Sequence, residues 1–470
     1  MFAQSRRWLT RPLQLSLSDF VQRHTATNPA SLFSSQKTLC ALSNSYSIFE
    51  NLTAEEALLR GMHLNDGESL LLFYINDPCV VIGRNQNAFA EVSLGRAARE
   101  GVAVARRSSG GGAVYHDRGN LCLSFFTTRR EYAPEKTIEV VRLGLSTLCG
   151  IDKERFTSSK RSDLFLDGHK ITGSAMRVQR DIAMHHCTLL VSSDTDGMGR
   201  FLHSDGHYDA LETSAVQSVR SPVTSLLSRN VLPCGEDAAM NTVTHFLAHF
   251  FEVHGTSILL HDDPHQMHVH HSFPRTEAAP PISVHLGVQE MMKGFSFVYA
   301  EGRNHLSGDT STFEDEVRRL RSGEWLLNMP KFTTTIGTSL VELRGGLSAV
   351  APDLSARDRQ EVEEYMSALF SSTDRITVRT TVALGVVDAV YVNIAELNSF
   401  LNTMLVGCKI EPATKVRESV SQEEWTVEGF ALEMSPLISV NGDHAKQNLQ
   451  LVLRAFLHCW EKKNTFRLAT

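Results

Sequence analysis

Short apolar runs and amphipathic stretches divide the chain into strands, turns and a few helices. Residues 54–63 (AEEALLRGMH) have helical spacing. Residues 70–75 and 80–82 are unbroken apolar runs of strand length, split by the turn formers Asn76, Asp77 and Pro78. Another short strand is predicted at 102–105. It runs into SSGGG at 108–112, then GAVY, a turn over 116–120 and the strand LCLSFF at 121–126. Strand, glycine-rich turn, strand, turn, strand describes a sheet whose backbone is held close to something else. Residues 135–149 predict an amphipathic helix through Ile138, Val141, Leu145 and Leu148. A strand at 163–166 precedes the turn residues Asp167 and Gly168, and 185–191 (HHCTLLV) is a further strand. In that strand His185 and His186 alternate, so only one of them is expected to face inward. Residues 236–253 predict a helix rich in Phe.

The pattern breaks at 254. A histidine cluster (His261, His265, His268, His270, His271) leads to Pro280 and Pro281, so 254–310 reads as an insert or linker. Its composition suits metal binding, but the histidines lack paired ligand spacing. Beyond it, 340–343 and 347–350 predict a hairpin about a turn at 344–346. A helix is expected over 355–370 with Ser355 as its cap, then strands within 376–392 and helices over 396–406 and 443–464. This is the pattern of a small α+β domain spanning 311–470. No repeat with a period of 20–50 residues is present.

Composition narrows the class. Of 470 residues, 42% are apolar and 21% charged, and the formal charge is −7, which excludes a globally basic nucleic-acid binder. No uncharged apolar run approaches the ~18 residues of a membrane helix. Eight scattered cysteines include no CxxC pair, which argues against a disulfide scaffold or a structural zinc site and fits a reducing compartment. Residues 1–45 carry Arg6, Arg7, Arg11, Arg23 and Lys37 against the single acid Asp19, with many serines. That is the composition of a mitochondrial transit peptide, so the segment is set apart from the fold.

The chemistry concentrates in two stretches. In the first, Arg106 and Arg107 precede Ser108-Ser109-Gly110-Gly111-Gly112-Ala113-Val114-Tyr115-His116-Asp117. Three glycines weaken a sheet unless a ligand must touch backbone N–H groups, which form a nest for an anion. Arginine offers a planar fork for phosphate or carboxylate. The GK[ST] ending of a Walker loop is absent, and so is a dinucleotide GxGxxG between strand and helix. In the second stretch, Lys170 opens a short strand toward Gly173 and Ser174, where it can act as a fixed positive charge.

Together these stretches resemble the lipoate–protein ligase family. The family pattern RRxSGGGAVxHDxGN is met over 106–120. Its second pattern, KxxGSAxR then D then HHGTLL, is met at 170–177, Asp181 and 185–190. VIGRNQN at 81–87 and SVRSPVTSLL at 218–227 also match in order. The resemblance covers 46–253, and GEWLLNMPKF at 323–332 resembles the entry to the family's accessory domain.

This resemblance implies an α+β protein: a mixed-sheet biotin/lipoate ligase catalytic domain at 46–253 with helices on one side, and a small α+β C-terminal accessory domain. It implies ATP-dependent activation of lipoate to lipoyl-AMP, then transfer to a lysine of a lipoyl domain. The acceptors would be the E2 subunits of 2-oxoacid dehydrogenases and the H protein of glycine cleavage, in the mitochondrial matrix. Lys170 would be the catalytic residue, contacting the lipoate carboxylate and the α-phosphate. Arg107 would hold ATP phosphate, Gly112, Ala113, Val114 and Tyr115 would contact the nucleotide, and Asp163 would meet the nucleotide amine or Mg²⁺. Ser109, His116 and His186 would line the lipoate pocket. The alternative is an amidotransferase that moves lipoyl or octanoyl groups between carriers without ATP. Cys187 stands where the family often has glycine, and related transferases use a cysteine thioester. Biotin ligase is disfavoured because its GRGRxxR-type loop is absent.

Overall fold

The computed structural model describes residues 38–43, 45–62, 64–204, 206, 208–260, 285–286, 313–369, 375–412, 443–463 and 466–468. Residues 1–37 and the five histidines of the 261–271 cluster lie outside these. The described residues of Met1–Arg84, Ala103–Arg200 and Ser218–Ser322 form one compact unit, and those of Asn85–Val102, Phe201–Gln217 and Gly323–Thr470 form another.

The first unit contains strands β1 (Thr38–Ser43), β2 (Ser69–Ile75), β3 (Cys79–Ile82), β4 (Ala103–Arg106), β5 (Val114–His116), β6 (Asn120–Thr128), β7 (Phe156–Ser158), β8 (Leu164–Leu166), β9 (His169–Lys170), β10 (Ser174–Val178) and β11 (Ile182–Leu190). Its long helices are α1 (Ile48–Gly61), α2 (Pro134–Cys149) and α3 (Glu236–Leu260). Six strands form a mixed sheet in the order β10-β11-β6-β2-β1 and then His285–Leu286. β1 is parallel to both of its neighbours, and the other pairings are antiparallel. Two three-stranded sheets, β4-β3-β5 and β7-β8-β9, complete the unit.

The central strands are apolar at consecutive positions, as strands buried on both faces must be. Leu71, Phe73, Leu123, Phe125 and Leu189 pack with Val141 and Leu145 of α2 and with Leu247, Phe250 and Phe251 of α3. The alternate residues Leu70, Leu72, Tyr74, Phe126 and Met184 pack with Ala54, Ala57 and Leu58 of α1. Helices therefore cover both faces rather than one. Strand β1 starts inside the segment set apart as 1–45. Its TLCALS run is uncharged, and Cys40 is completely buried. The basic, serine-rich count of the whole segment hides this local run. Helix α1 likewise starts earlier than 54, because Ser47 caps it by accepting from the Glu50 N–H at 3.4 Å.

In the second unit, β12 (Ala210–Thr213), β13 (Phe332–Ser339), β14 (Arg375–Ala383) and β15 (Val386–Val392) form an antiparallel sheet in that order. Alternate residues of β14, Ile376, Val378, Thr380 and Val382, are buried. The unit also holds α4 (Leu340–Val350), α5 (Ala356–Leu369), α6 (Ala395–Leu405) and α7 (Asp443–Lys463). The hairpin expected over 340–350 is thus a single helix. Ser339 and Glu342 form a reciprocal capping box at its start. Gly346 is a point of close approach rather than a turn: a Cβ there would lie 2.7 Å from the Ala455 carbonyl oxygen of α7.

Candidate active site

The loop between β4 and β5 is built around Arg107. Its Nη1 donates to the Val81 carbonyl at 3.1 Å, and its Nη2 donates to the carbonyls of Gly110 at 2.6 Å and Gly112 at 2.8 Å. Its Nε donates to Ser109 Oγ at 3.0 Å. Burial pushes this guanidinium down to about 10, and the negative charge of Glu55 opposes the shift. The fork expected to face phosphate therefore holds the loop's own carbonyls. With those turned inward, the N–H groups of Gly110, Gly111 and Gly112 have no acceptor among the described residues. That is the donor arrangement of an anion nest. Two glycines are required by geometry. Gly111 has φ +89°, and a Cβ at Gly83 would lie 2.2 Å from the Gly111 carbonyl oxygen.

Lys170 lies at the end of β9. Its Nζ is 2.8 Å from Asp163 Oδ2, and Asp163 Oδ1 accepts from the Ser174 N–H at 2.8 Å. The lysine is 21% exposed at its side chain, so it is held in place and still reachable. Both oxygens of Asp163 are engaged within the chain. Among the described residues no three His, Cys, Asp or Glu side chains cluster to hold a metal ion.

Helix α1 contributes two glutamates that sequence reasoning assigned no role. The Glu55 carboxylate is fully buried and accepts from Tyr74 Oη at 2.9 Å, from Ser124 Oγ, and from His186 Nδ1 at 3.0 Å. Burial alone would raise this carboxyl. The positive charge available on His186 and the three donated hydrogen bonds outweigh it, and hold the group below its ordinary value. With Nδ1 donating to Glu55, His186 Nε2 meets Ser109 Oγ at 2.8 Å. Glu56 pairs with Arg177 of β10 and accepts from Ser108 Oγ at 2.9 Å. Adjacent acids inside an apolar helical stretch were the available signal, since buried carboxylates require partners.

Both histidines of β11 are buried, on opposite faces of the sheet. Alternation holds, but both faces are covered, so the expectation that only one faces inward fails. His185 is bonded to Thr137 Oγ1 and, at 3.0 Å, to Ser174 Oγ, and burial pushes its imidazolium down to about 3. Cys187 packs in the cluster formed with α2 and α3, and burial pushes its thiol up to about 12.

One cavity brings most of the expected residues together. Arg107, Gly112, Ala113, Val114, His116, Asp163, Lys170 and His186 line it, and Cys187 reaches its wall. Ser109 and Tyr115 are not among the lining residues. Ser109 is buried behind the wall, between Arg107 and His186.

The lipoyl protein ligase A/B catalytic domain family matches residues 47–251. Over 209 residues the chain is 37% identical to human mitochondrial lipoyl amidotransferase LIPT1, covering 44% of this chain and 54% of that one. Over 190 residues it is 38% identical to lipoate-protein ligase A of Blochmanniella pennsylvanica, covering 39% and 54%. The chain thus spans just over half the length of these relatives. A solved structure of P. falciparum LipL1 in complex with lipoate aligns with a TM-score of 0.43 and 18% identity, over 89% of this chain and 99% of that one. Over residues 47–251 the chain is thus similar to the lipoyl protein ligase A/B catalytic domain.

Proposed function

We propose that the protein is a lipoate–protein ligase. It activates lipoate with ATP as lipoyl-AMP, releasing pyrophosphate, and transfers the lipoyl group to a lysine of a lipoyl domain. The observation that carries this reading is the juxtaposition, in one cavity, of the Lys170 ammonium with a glycine loop that presents N–H donors. In the first half-reaction a carboxylate oxygen attacks the α-phosphorus and the bond to pyrophosphate breaks. Negative charge builds on the phosphoryl oxygens, where a fixed ammonium and oriented N–H groups stabilise it. In the second, the acceptor lysine attacks the acyl carbon and AMP leaves. The same ammonium then faces the developing oxyanion. Asp163 orients Lys170 through their 2.8 Å ion pair, and Arg107 shapes the loop. Mg²⁺ would enter with the nucleotide phosphates.

The mitochondrial relatives named lipoyl amidotransferase support a mitochondrial location. They also favour a second reading, ATP-independent transfer from one lipoylated carrier to another. Its cysteine-thioester form fits poorly, because the Cys187 side chain sits in the apolar core with its thiol pushed up to about 12. The test is mass spectrometry of an unmodified E2 lipoyl domain. It is incubated with the protein and either lipoate plus ATP or a lipoylated H protein without ATP. Modification with lipoate and ATP supports the ligase. Modification only from the lipoylated carrier supports the amidotransferase.

A further inference from the structure

The wall of the cavity carries a hydrogen-bond donor whose direction is set from a distance. Asn51 Nδ2 donates to the Ser45 carbonyl at 3.0 Å, a group that can only accept, so the amide orientation of Asn51 is determined. The same nitrogen donates to Asn76 Oδ1 at 2.8 Å. Asn76 must then turn its NH₂ toward His116, and its Nδ2 is 2.9 Å from His116 Nδ1. Nδ1 therefore accepts. Burial first, and then the nearby charges of Arg107 and His186, push the His116 imidazolium down to about 3. The ring is neutral at physiological pH, and its one proton sits on Nε2. That Nε2 is buried and has no partner among the described residues. His116 lines the cavity, whose wall also holds Leu52, Tyr74, Val81 and Cys122 together with Arg107 and His186.

An unpaired buried donor on a residue that lines the cavity points to an acceptor on the ligand. We infer that His116 is a specificity residue whose Nε2–H recognises a soft acceptor at the end of the acyl chain remote from its carboxylate. The sulfurs of a dithiolane supply such an acceptor, and a plain alkyl chain does not. The inference rests on the acyl-binding reading above and adds a reason for lipoyl over octanoyl selectivity. An alkyl chain packed against His116 leaves the donor unpaired. One such loss in a dry site shifts kcat/KM on the order of tenfold. Asn51 and Asn76 are positioning residues, since they act through the tautomer of His116.

Lipoyl and octanoyl adenylates, supplied directly, make the test independent of ATP use. The wild-type chain is expected to favour the lipoyl compound about tenfold in kcat/KM. His116→Phe should remove that preference, mainly through KM for the lipoyl compound, and His116→Gln, which keeps an N–H donor, should restore part of it. In ¹⁵N-histidine spectra, His116 Nδ1 should show the shift of an unprotonated acceptor, and Asn76→Asp should move the proton to Nδ1 and lower the preference. No preference in the wild type, an equal loss for both adenylates in His116→Phe, or a proton on Nδ1 in the wild type would each overturn the inference. Failure of the wild type to transfer either acyl group would instead overturn the acyl-binding reading itself.

Discussion

Replacing Glu55 by glutamine tests the buried network beneath the glycine loop. The change keeps the volume and removes the charge. Glu55 is surrounded by donors: the hydroxyls of Tyr74 and Ser124 and Nδ1–H of His186 all point at its oxygens. A glutamine has one carbonyl oxygen, and its NH₂ must face at least one of these donors. A hydrogen bond to a charged group contributes about 1.5–3 kcal/mol, and an unsatisfied buried donor costs about 1–3 kcal/mol. The expected destabilisation is therefore about 2.5–6 kcal/mol. Urea denaturation followed by circular dichroism measures it as a fall in midpoint at constant slope. Because His186 Nε2 is 2.8 Å from Ser109 Oγ, and Ser109 accepts from Arg107, the variant should also bind nucleotide more weakly. A change in stability below about 0.5 kcal/mol would refute the network as described.

Other consequences can be checked directly. Lys170→Ala should reduce lipoyl-adenylate formation by about 10²–10³-fold while circular dichroism stays native. Cys187→Ser should retain transfer within a few-fold, measured on a lipoyl domain; complete loss would restore the thioester route. His116 and His185 have folded-state values depressed to about 3, so the unfolded chain takes up their protons first as pH falls. Their contribution is fully present above about pH 6.5 and is lost on going down toward about pH 3. The loss should reach about 2 kcal/mol per histidine at pH 5, and an unchanged urea midpoint between pH 7 and 5 would contradict it. Gly346→Val should destabilise the second unit, because its side chain would meet the Ala455 carbonyl of α7. Normal thermal stability of that variant would argue against the close helix approach.

Much of the first unit was legible because its local and global signals agree. The apolar runs of β2, β6 and β11 have strand length, and the glycine run has a φ that only glycine adopts easily. The failures have physical causes. Residues 340–350 resembled a hairpin because glycines 345 and 346 mimic a turn, whereas the S-x-x-E box at 339–342 starts a helix. The roles of Glu55 and Glu56 depend on partners as much as 131 residues away, and no local pattern announces such partners. The orientation of Arg107 was also beyond sequence reasoning. A guanidinium suits phosphate and carbonyl oxygens alike, and only the folded loop shows which it meets.

The most direct test of the central claim is pyrophosphate release with lipoate, ATP and Mg²⁺ and no acceptor protein, using a chain that retains β1 from Thr38. Lipoate-dependent release that disappears in Lys170→Ala is the predicted result. Absence of release, with efficient lipoyl transfer from a loaded carrier under the same conditions, would contradict the ligase and establish the amidotransferase.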